Sequence, residues 1–119
     1  MKLWSGLVVK DPTAARDFYV SHFGSEVLFD SDWFVLLTLG GGELGFLKPD
    51  QAAQAPMFRQ TVTSGAWVAV DVDDVDAQYQ RFRDAGVDIE VPLRDEPWGD
   101  GHFVVRDPNG IPVDVVRHG

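Results

Sequence analysis

Four tryptophans and a set of carboxylates are the side chains of this 119-residue sequence best suited to chemistry. Trp4, Trp33, Trp67 and Trp98 carry broad indole rings, which stack on planar molecules and draw cations over their faces. Asp114 supplies a carboxylate that would hold a positive group beside such rings, and Glu43, Asp71 and Asp100 are further candidates. Phe103, on the strand that follows Trp98, joins them as a candidate contact, while Phe34 and Phe46 suit either core or cleft. The chemistry of such a set is the sequestering of a flat, apolar, cationic molecule. Two plainer readings stand beside it: the tryptophans fill the interior as core, and Asp114 is satisfied by strand or loop donors.

Other chemistries find less support. The chain has no cysteine, which removes disulfides, thiolate zinc sites and thiol nucleophiles. His22 falls late in a helix, where a cation favours the dipole, and His118 lies beside the last residue. His102 reads as an exposed strand-end histidine, with a lone acid or base as the sharper alternative. None of Ser5, Ser21, Ser25, Ser31 and Ser64 sits in a motif that activates a nucleophile. Gly40-Gly41-Gly42 lacks the Lys and Ser/Thr of a phosphate-binding loop and reads as a hairpin turn. The net charge of −9 disfavours nucleic acid and suits a cationic small molecule or basic protein, or else serves solubility alone. No apolar run approaches the ~18 residues of a membrane span, and the first residues lack a signal-peptide pattern, so a cytoplasmic protein is expected.

The elements that must position these groups are short. Residues 3–10, rich in Leu and Val, read as a strand; Asp11-Pro12 then starts a helix that presents Phe18, Tyr19 and Phe23 and stops at Gly24. Strands follow at 27–29, 33–39 and 43–48. Residues 51–64 are small and polar without a period, and read as a linker whose only bulky apolar residues are Met57 and Phe58. Residues 66–72 alternate cleanly, with Val68 and Val70 on one face and Trp67, Ala69 and Asp71 on the other. Asp74 caps a second helix with Val75, Tyr79 and Phe82 on its buried stripe, ended by Ala85-Gly86. Strands at 87–91, 103–105 and 111–116 close the chain, the last two joined by the turn Asp107-Pro108-Asn109-Gly110.

The second half repeats the first. Trp67, Val72, Asp74 and Ala77 each lie 63 residues after Trp4, Val9, Asp11 and Ala14. One offset shared by strand, cap and helix face indicates an internal duplication. The chain reads as two βαβββ units, residues 1–50 and 65–119 around the 51–64 linker, forming a single domain. Each unit is too small to bury its own sheet face, and paired curved sheets can enclose a cleft. Alternation aims Trp67 into that cleft, and the repeat makes Trp4 its partner.

With these motifs in order, the sequence resembles the vicinal-oxygen-chelate superfamily of glyoxalase I, extradiol dioxygenases and bleomycin-resistance proteins. The match runs through Gly6-Leu7-Val8-Val9-Lys10-Asp11, Phe18-Tyr19 and Phe23-Gly24. It continues through Val70-Asp71-Val72-Asp73-Asp74-Val75-Asp76-Ala77 and Ala85-Gly86-Val87. It ends in Trp98-Gly99, Phe103 and the run from Arg106-Asp107-Pro108-Asn109-Gly110 to Asp114. The resemblance implies an α+β fold of two tandem βαβββ units whose curved mixed sheets enclose a cleft. It also implies metal positions, which here carry Trp4, Trp67, a place near Gly45 with Glu43 two residues before it, and Asp114. Tryptophan has no lone pair for a metal, and about three protein ligands are needed. The expectation is therefore no cofactor and no catalytic metal. The resemblance then points to a metal-independent small-molecule binder of the bleomycin-resistance type, working as a homodimer with no nucleic-acid or membrane partner. Its ligand-contacting set is Trp4, Trp33, Trp67, Trp98, Phe103 and Asp114. A metal-dependent lyase or oxidoreductase of the glyoxalase or dioxygenase type, and a degenerate module without a ligand, remain as alternatives.

Overall fold

The computed structural model describes residues 1–119. Strand β1 (Ser5–Val8) leads into helix α1 (Pro12–Phe23), then strands β2 (Val27–Asp30), β3 (Phe34–Leu39) and β4 (Gly42–Leu47) and a single 3₁₀ turn at Pro56–Phe58. Strand β5 (Val68–Asp71), helix α2 (Val75–Asp84) and strands β6 (Ile89–Asp95), β7 (Gly101–Arg106) and β8 (Pro112–Arg117) repeat that order. The fold is thus α+β, two tandem βαβββ units spanning Met1–Gly65 and Ala66–Gly119.

Both helices start for the reason legible in the sequence. The Asp11 carboxylate accepts from the Ala14 N–H at 3.0 Å, and the Asp74 carboxylate from the Ala77 N–H at 3.0 Å, each satisfying a donor that a first helical turn leaves unpaired. Gly24, at φ 65°, turns the chain out of α1 in the left-handed conformation that only glycine adopts cheaply.

Each unit forms one four-stranded sheet, in the order β1-β4-β3-β2 and β5-β8-β7-β6. The first strand of each pairs in parallel with the last, Gly6 opposite Gly45 and Ala69 opposite Asp114, and the remaining pairs are antiparallel. One face of each sheet lies under its helix. In the first unit Tyr19 stacks on Phe46 at 5.4 Å, above the buried Val35 and Leu37. In the second, Tyr79 and Phe82 meet Phe103 edge-on at 5.1 and 5.7 Å, with Val105, Val113 and Val115 buried beside them. Two-residue alternation sends the neighbours of these core residues to the opposite face.

Several boundaries differ from the sequence reading, among them the strand expected at 66–72, which spans Val68–Asp71 and leaves Trp67 before it. Strand β6 runs on past Pro92 to Asp95, because it is an edge strand whose register breaks on both sides of Val91, and an edge bulge tolerates a missing N–H. Strand β1 starts at Ser5, leaving Leu3 exposed. Residues 51–64 belong to the first unit and are tied rather than loose: the Arg59 guanidinium donates to the carbonyls of Gln54 (2.6 Å) and Ala52 (3.1 Å), and the Val62 N–H donates to the Val8 carbonyl at 3.0 Å.

Asp107 is a buried turn residue, accepting from the N–H groups of Asn109 (2.9 Å) and Ile111 (3.0 Å). Removing it strands two donors beneath the β7–β8 connection. Chemical denaturation should therefore rank the variants. Asp11→Ala and Asp74→Ala each lose about 1 kcal/mol of stability, and Asp107→Ala loses more, roughly 1–3 kcal/mol.

Candidate functional site

In each unit the sheet face away from the helix carries the side chains that sequence alone singled out. The first unit has a groove of about 500 Å³ whose walls include Trp4, Trp33, Phe34, Leu47 and Phe58. Trp4 occupies the residue before β1, and its ring comes down on the backbone where Gly6 pairs with Gly45. A Cβ on Gly45 would lie 2.8 Å from Trp4 Cζ3, so that the indole would have to shift, and a tight 3.0 Å from Phe34 Cζ; the glycine is what lets the Trp4 ring settle there. Trp4 meets Phe34 edge-on at 6.0 Å, and Phe34 meets Trp33 at 5.9 Å. The tryptophans stay partly open, 47% exposed for Trp4 and 40% for Trp33. The carboxylates of this unit that approach cations are matched: Glu43 with Lys2 at 2.8 Å, and Asp30 and Asp17 with Arg16 at 2.8 and 3.0 Å.

The second unit uses the equivalent positions differently. His102 stands opposite Val116 in the β7–β8 ladder as Phe34 stands opposite Leu47 in the β3–β4 ladder, and Asp114 pairs with Ala69 where Gly45 pairs with Gly6. A triplet of Trp4, Phe34 and Gly45 thus becomes Trp67, His102 and Asp114. His102 Nδ1 lies 2.7 Å from Asp114 Oδ1, and its Nε2 lies 3.6 Å from Glu96. Around them is a hollow of about 300 Å³ walled also by Trp98, Asp71, Asp100 and His118. Trp98 donates its indole N–H to Asp100 at 3.1 Å. His118 bridges Asp71 (2.9 Å) and Asp100 (3.3 Å), and the Gly119 N–H donates to Asp100 at 3.2 Å. That last bond, together with those from His118 and Trp98, holds the Asp100 carboxyl below its ordinary range against a partial desolvation that works the other way. The bond to Asp100, aided by the charge of Asp71, raises His118 above the usual imidazole range.

The candidate residues therefore divide. Trp4 and Trp33 share the first groove, and Trp98 and Asp114 share the second hollow. Trp67, 67% exposed, lines neither. Phe103 is a correction to the ligand-contacting set: it is fully buried on the helix side of its sheet against Tyr79 and Phe82, because alternation puts His102 and Val104 on the open face instead. Sequence reasoning left Phe34 open between core and cleft and named Phe58 only as a bulky residue of the linker, where the structure places both on the groove wall; it missed the pairing of His102 with Asp114. The strand register carried the signal for the last, since the two residues sit diagonally on neighbouring strands.

The residues at the positions of a divalent metal do not fit one. Trp4 and Trp67 offer no lone pair, Gly45 has no side chain, Glu43 is held by Lys2 and Asp114 by His102. No group of three or more His, Asp or Glu side chains is placed to hold a metal ion.

Residues 3–115 match the profile of the Glyoxalase/Bleomycin resistance protein/Dioxygenase superfamily, and the chain belongs to that superfamily. It is similar to an uncharacterised protein of Mycobacterium bovis, 34% identical over 113 residues that cover 87% of this chain and 74% of that one. It spans about two thirds to three quarters of the length of the mycobacterial relatives it matches. Among solved structures it is similar to a lactoylglutathione lyase from Agrobacterium tumefaciens, at 25% identity over 98% of this chain and 92% of that one, with a TM-score of 0.81. TioX from Micromonospora sp. ML1 aligns at 29% identity over 100% and 99% of the two chains, with a TM-score of 0.75. No helix is long and apolar enough to cross a membrane.

Two measurements check this geometry. Gly45→Ala should displace the Trp4 and Phe34 rings and shift tryptophan emission, while stability changes by less than about 1 kcal/mol; an unchanged spectrum would show that Trp4 does not rest on Gly45. For His118, the raised value means that its ion pairs are complete below the ordinary imidazole pKa and are lost as pH rises through the folded value. A proton NMR titration should find His118 titrating later than a model histidine, and Asp100→Asn should bring it back down.

Proposed function

We propose that this protein is a metal-independent binder of small planar molecules, of the bleomycin-resistance type, and that the groove of the first unit is its ligand site. The observation that carries the reading is the seating of Trp4. Its ring rests on the glycine backbone at Gly6 and Gly45, with Phe34 against its edge, and nearly half of the residue remains open. A ring held on a sheet backbone loses little freedom when a second ring stacks on it, so stacking energy goes into affinity. Trp33 and Phe58 supply further aromatic wall, and a groove of about 500 Å³ suits a drug-sized ligand. The donor set argues in the same direction, since the positions that would carry a metal hold tryptophan, glycine and already paired carboxylates.

The superfamily also contains enzymes, and the similarity to a lactoylglutathione lyase belongs to that comparison. The binding reading is favoured because it uses the side chains that are open, whereas lyase chemistry on a metal would need donors that these positions lack.

Titration with planar aromatic probes, followed by intrinsic tryptophan fluorescence, tests the assignment. Saturable quenching is expected. Trp4→Ala and Trp33→Ala should each cost about 1–2 kcal/mol, roughly five- to thirtyfold in Kd. A folded protein whose tryptophans respond to no planar probe would sink the reading.

A further inference from the structure

The groove has one wall that can form hydrogen bonds through an amide, and it comes from the segment that reads as a linker. Gln54 lines the groove beside Phe58, half-buried. Its backbone is fixed at both ends: the N–H donates to the Gln51 carbonyl at 3.0 Å, and the carbonyl accepts from Arg59 Nε at 2.6 Å. Arg59 also donates to the Ala52 carbonyl at 3.1 Å, while its own carbonyl accepts from the Asp50 N–H at 3.1 Å. Arg59 therefore ties this loop together, its guanidinium holding the Ala52 and Gln54 carbonyls and its own carbonyl accepting from Asp50, and so sets where Gln54 stands. The Gln54 carboxamide itself is bonded to no other protein group, so its donor and its acceptor are both available.

No ionised side chain lines this groove. The unit's carboxylates that approach cations, Glu43, Asp30 and Asp17, are already engaged, Glu43 with Lys2 and the two aspartates with Arg16. A cationic ligand would gain the attraction of the indole faces, but it would give up hydration against apolar walls with no carboxylate to replace it. A neutral ring avoids that cost. A ring with an N–H and a C=O side by side on one edge also matches a carboxamide, donor to acceptor and acceptor to donor.

We infer that the groove selects a neutral, planar heteroaromatic ligand bearing a lactam or amide edge, with Gln54 as the specificity-determining residue and Arg59 as the residue that positions it. This rests on the groove being the ligand site, and it replaces a cationic ligand with a neutral one at that site.

Isothermal titration calorimetry with three probes of one size tests it: 2-quinolone, N-methyl-2-quinolone, which lacks the donor, and the cation N-methylquinolinium. The native protein should bind 2-quinolone about tenfold more tightly than its N-methyl derivative, the value of one well-made hydrogen bond, and should bind the cation most weakly. Gln54→Met keeps the length and removes the amide. It should abolish the preference between the two quinolones while leaving N-methyl-2-quinolone bound as before. Arg59→Met leaves the carboxamide in place but frees the loop, and should narrow the same preference. A preference that survives Gln54→Met would be steric and would overturn the assignment, as would tightest binding of the cation. If the probes bind without this ranking, the ligand class fails and the groove stands; if none binds, the groove itself fails as the ligand site.

Discussion

A four-stranded sheet with a single helix packed on it has one face covered and one face left over, and both units obey that constraint. Helix α1 covers Val35, Leu37 and Phe46, and helix α2 covers Phe103, Val105, Val113 and Val115. Alternation then commits every neighbouring residue to the uncovered face. A uniformly apolar uncovered face would be an aggregation hazard, and a uniformly charged one would bind nothing flat. The first unit places aromatic rings on glycine there, and the second places a histidine on a carboxylate.

The contrast arises at matching register positions. Gly6 and Gly45 face each other across β1 and β4, and that pair of missing side chains makes a flat seat on which Trp4 can settle. Ala69 and Asp114 hold the corresponding places in β5 and β8. With a carboxylate there instead of a hydrogen atom, no seat exists for Trp67, which stands 67% exposed. His102, where the first unit has Phe34, turns to Asp114 for a hydrogen bond instead of turning its edge to an indole. Differences at three matching positions, Gly6 against Ala69, Gly45 against Asp114 and Phe34 against His102, thus accompany an aromatic surface in one unit and a His–Asp pair in the other, above helix-covered cores of the same kind. That division also explains why a net charge of −9 does not make every pocket acidic: the aspartates that wall a hollow, Asp71, Asp100 and Asp114, do so in the second unit, whereas in the first unit Glu43 pairs with Lys2, and Asp30 and Asp17 with Arg16.

What was legible in the sequence follows the range of the interactions involved. Helix starts depend on contacts three residues long, so Asp11 and Asp74 announced them. The shared offset of 63 announced the tandem units, whereas alternation over residues 66–72 did not place Trp67, which precedes β5 and lines neither hollow. Cross-strand partnerships were not legible, because they depend on register that no local pattern states. Gly45 as a seat for Trp4 and His102 as a partner for Asp114 are both of this kind. Phe103 was misassigned for a related reason: its place after the Trp98 loop drew it towards the ligand set, when its parity with Val105 and Val115 puts it under α2.

The 51–64 segment shows why a lack of periodicity is not a lack of order. A helix or strand advertises itself through a repeating apolar face, but a loop organised by one side chain bonding to several carbonyls leaves no repeat to detect. Arg59 does this from the far end of the segment, reaching back five residues to Gln54 and seven to Ala52. Its donors are satisfied by neutral backbone acceptors, which leave its positive charge uncompensated beside a groove that is lined by no carboxylate. The loop's remaining polar group at the groove is a neutral amide, next to an aromatic ring at Phe58. Order imposed in this way can change its loop sequence while keeping its shape, provided the arginine stays. Residues 50–59 are thus the part of the groove wall held by side chain to backbone bonds, whereas the Trp4 seat is fixed by the pairing of β1 and β4.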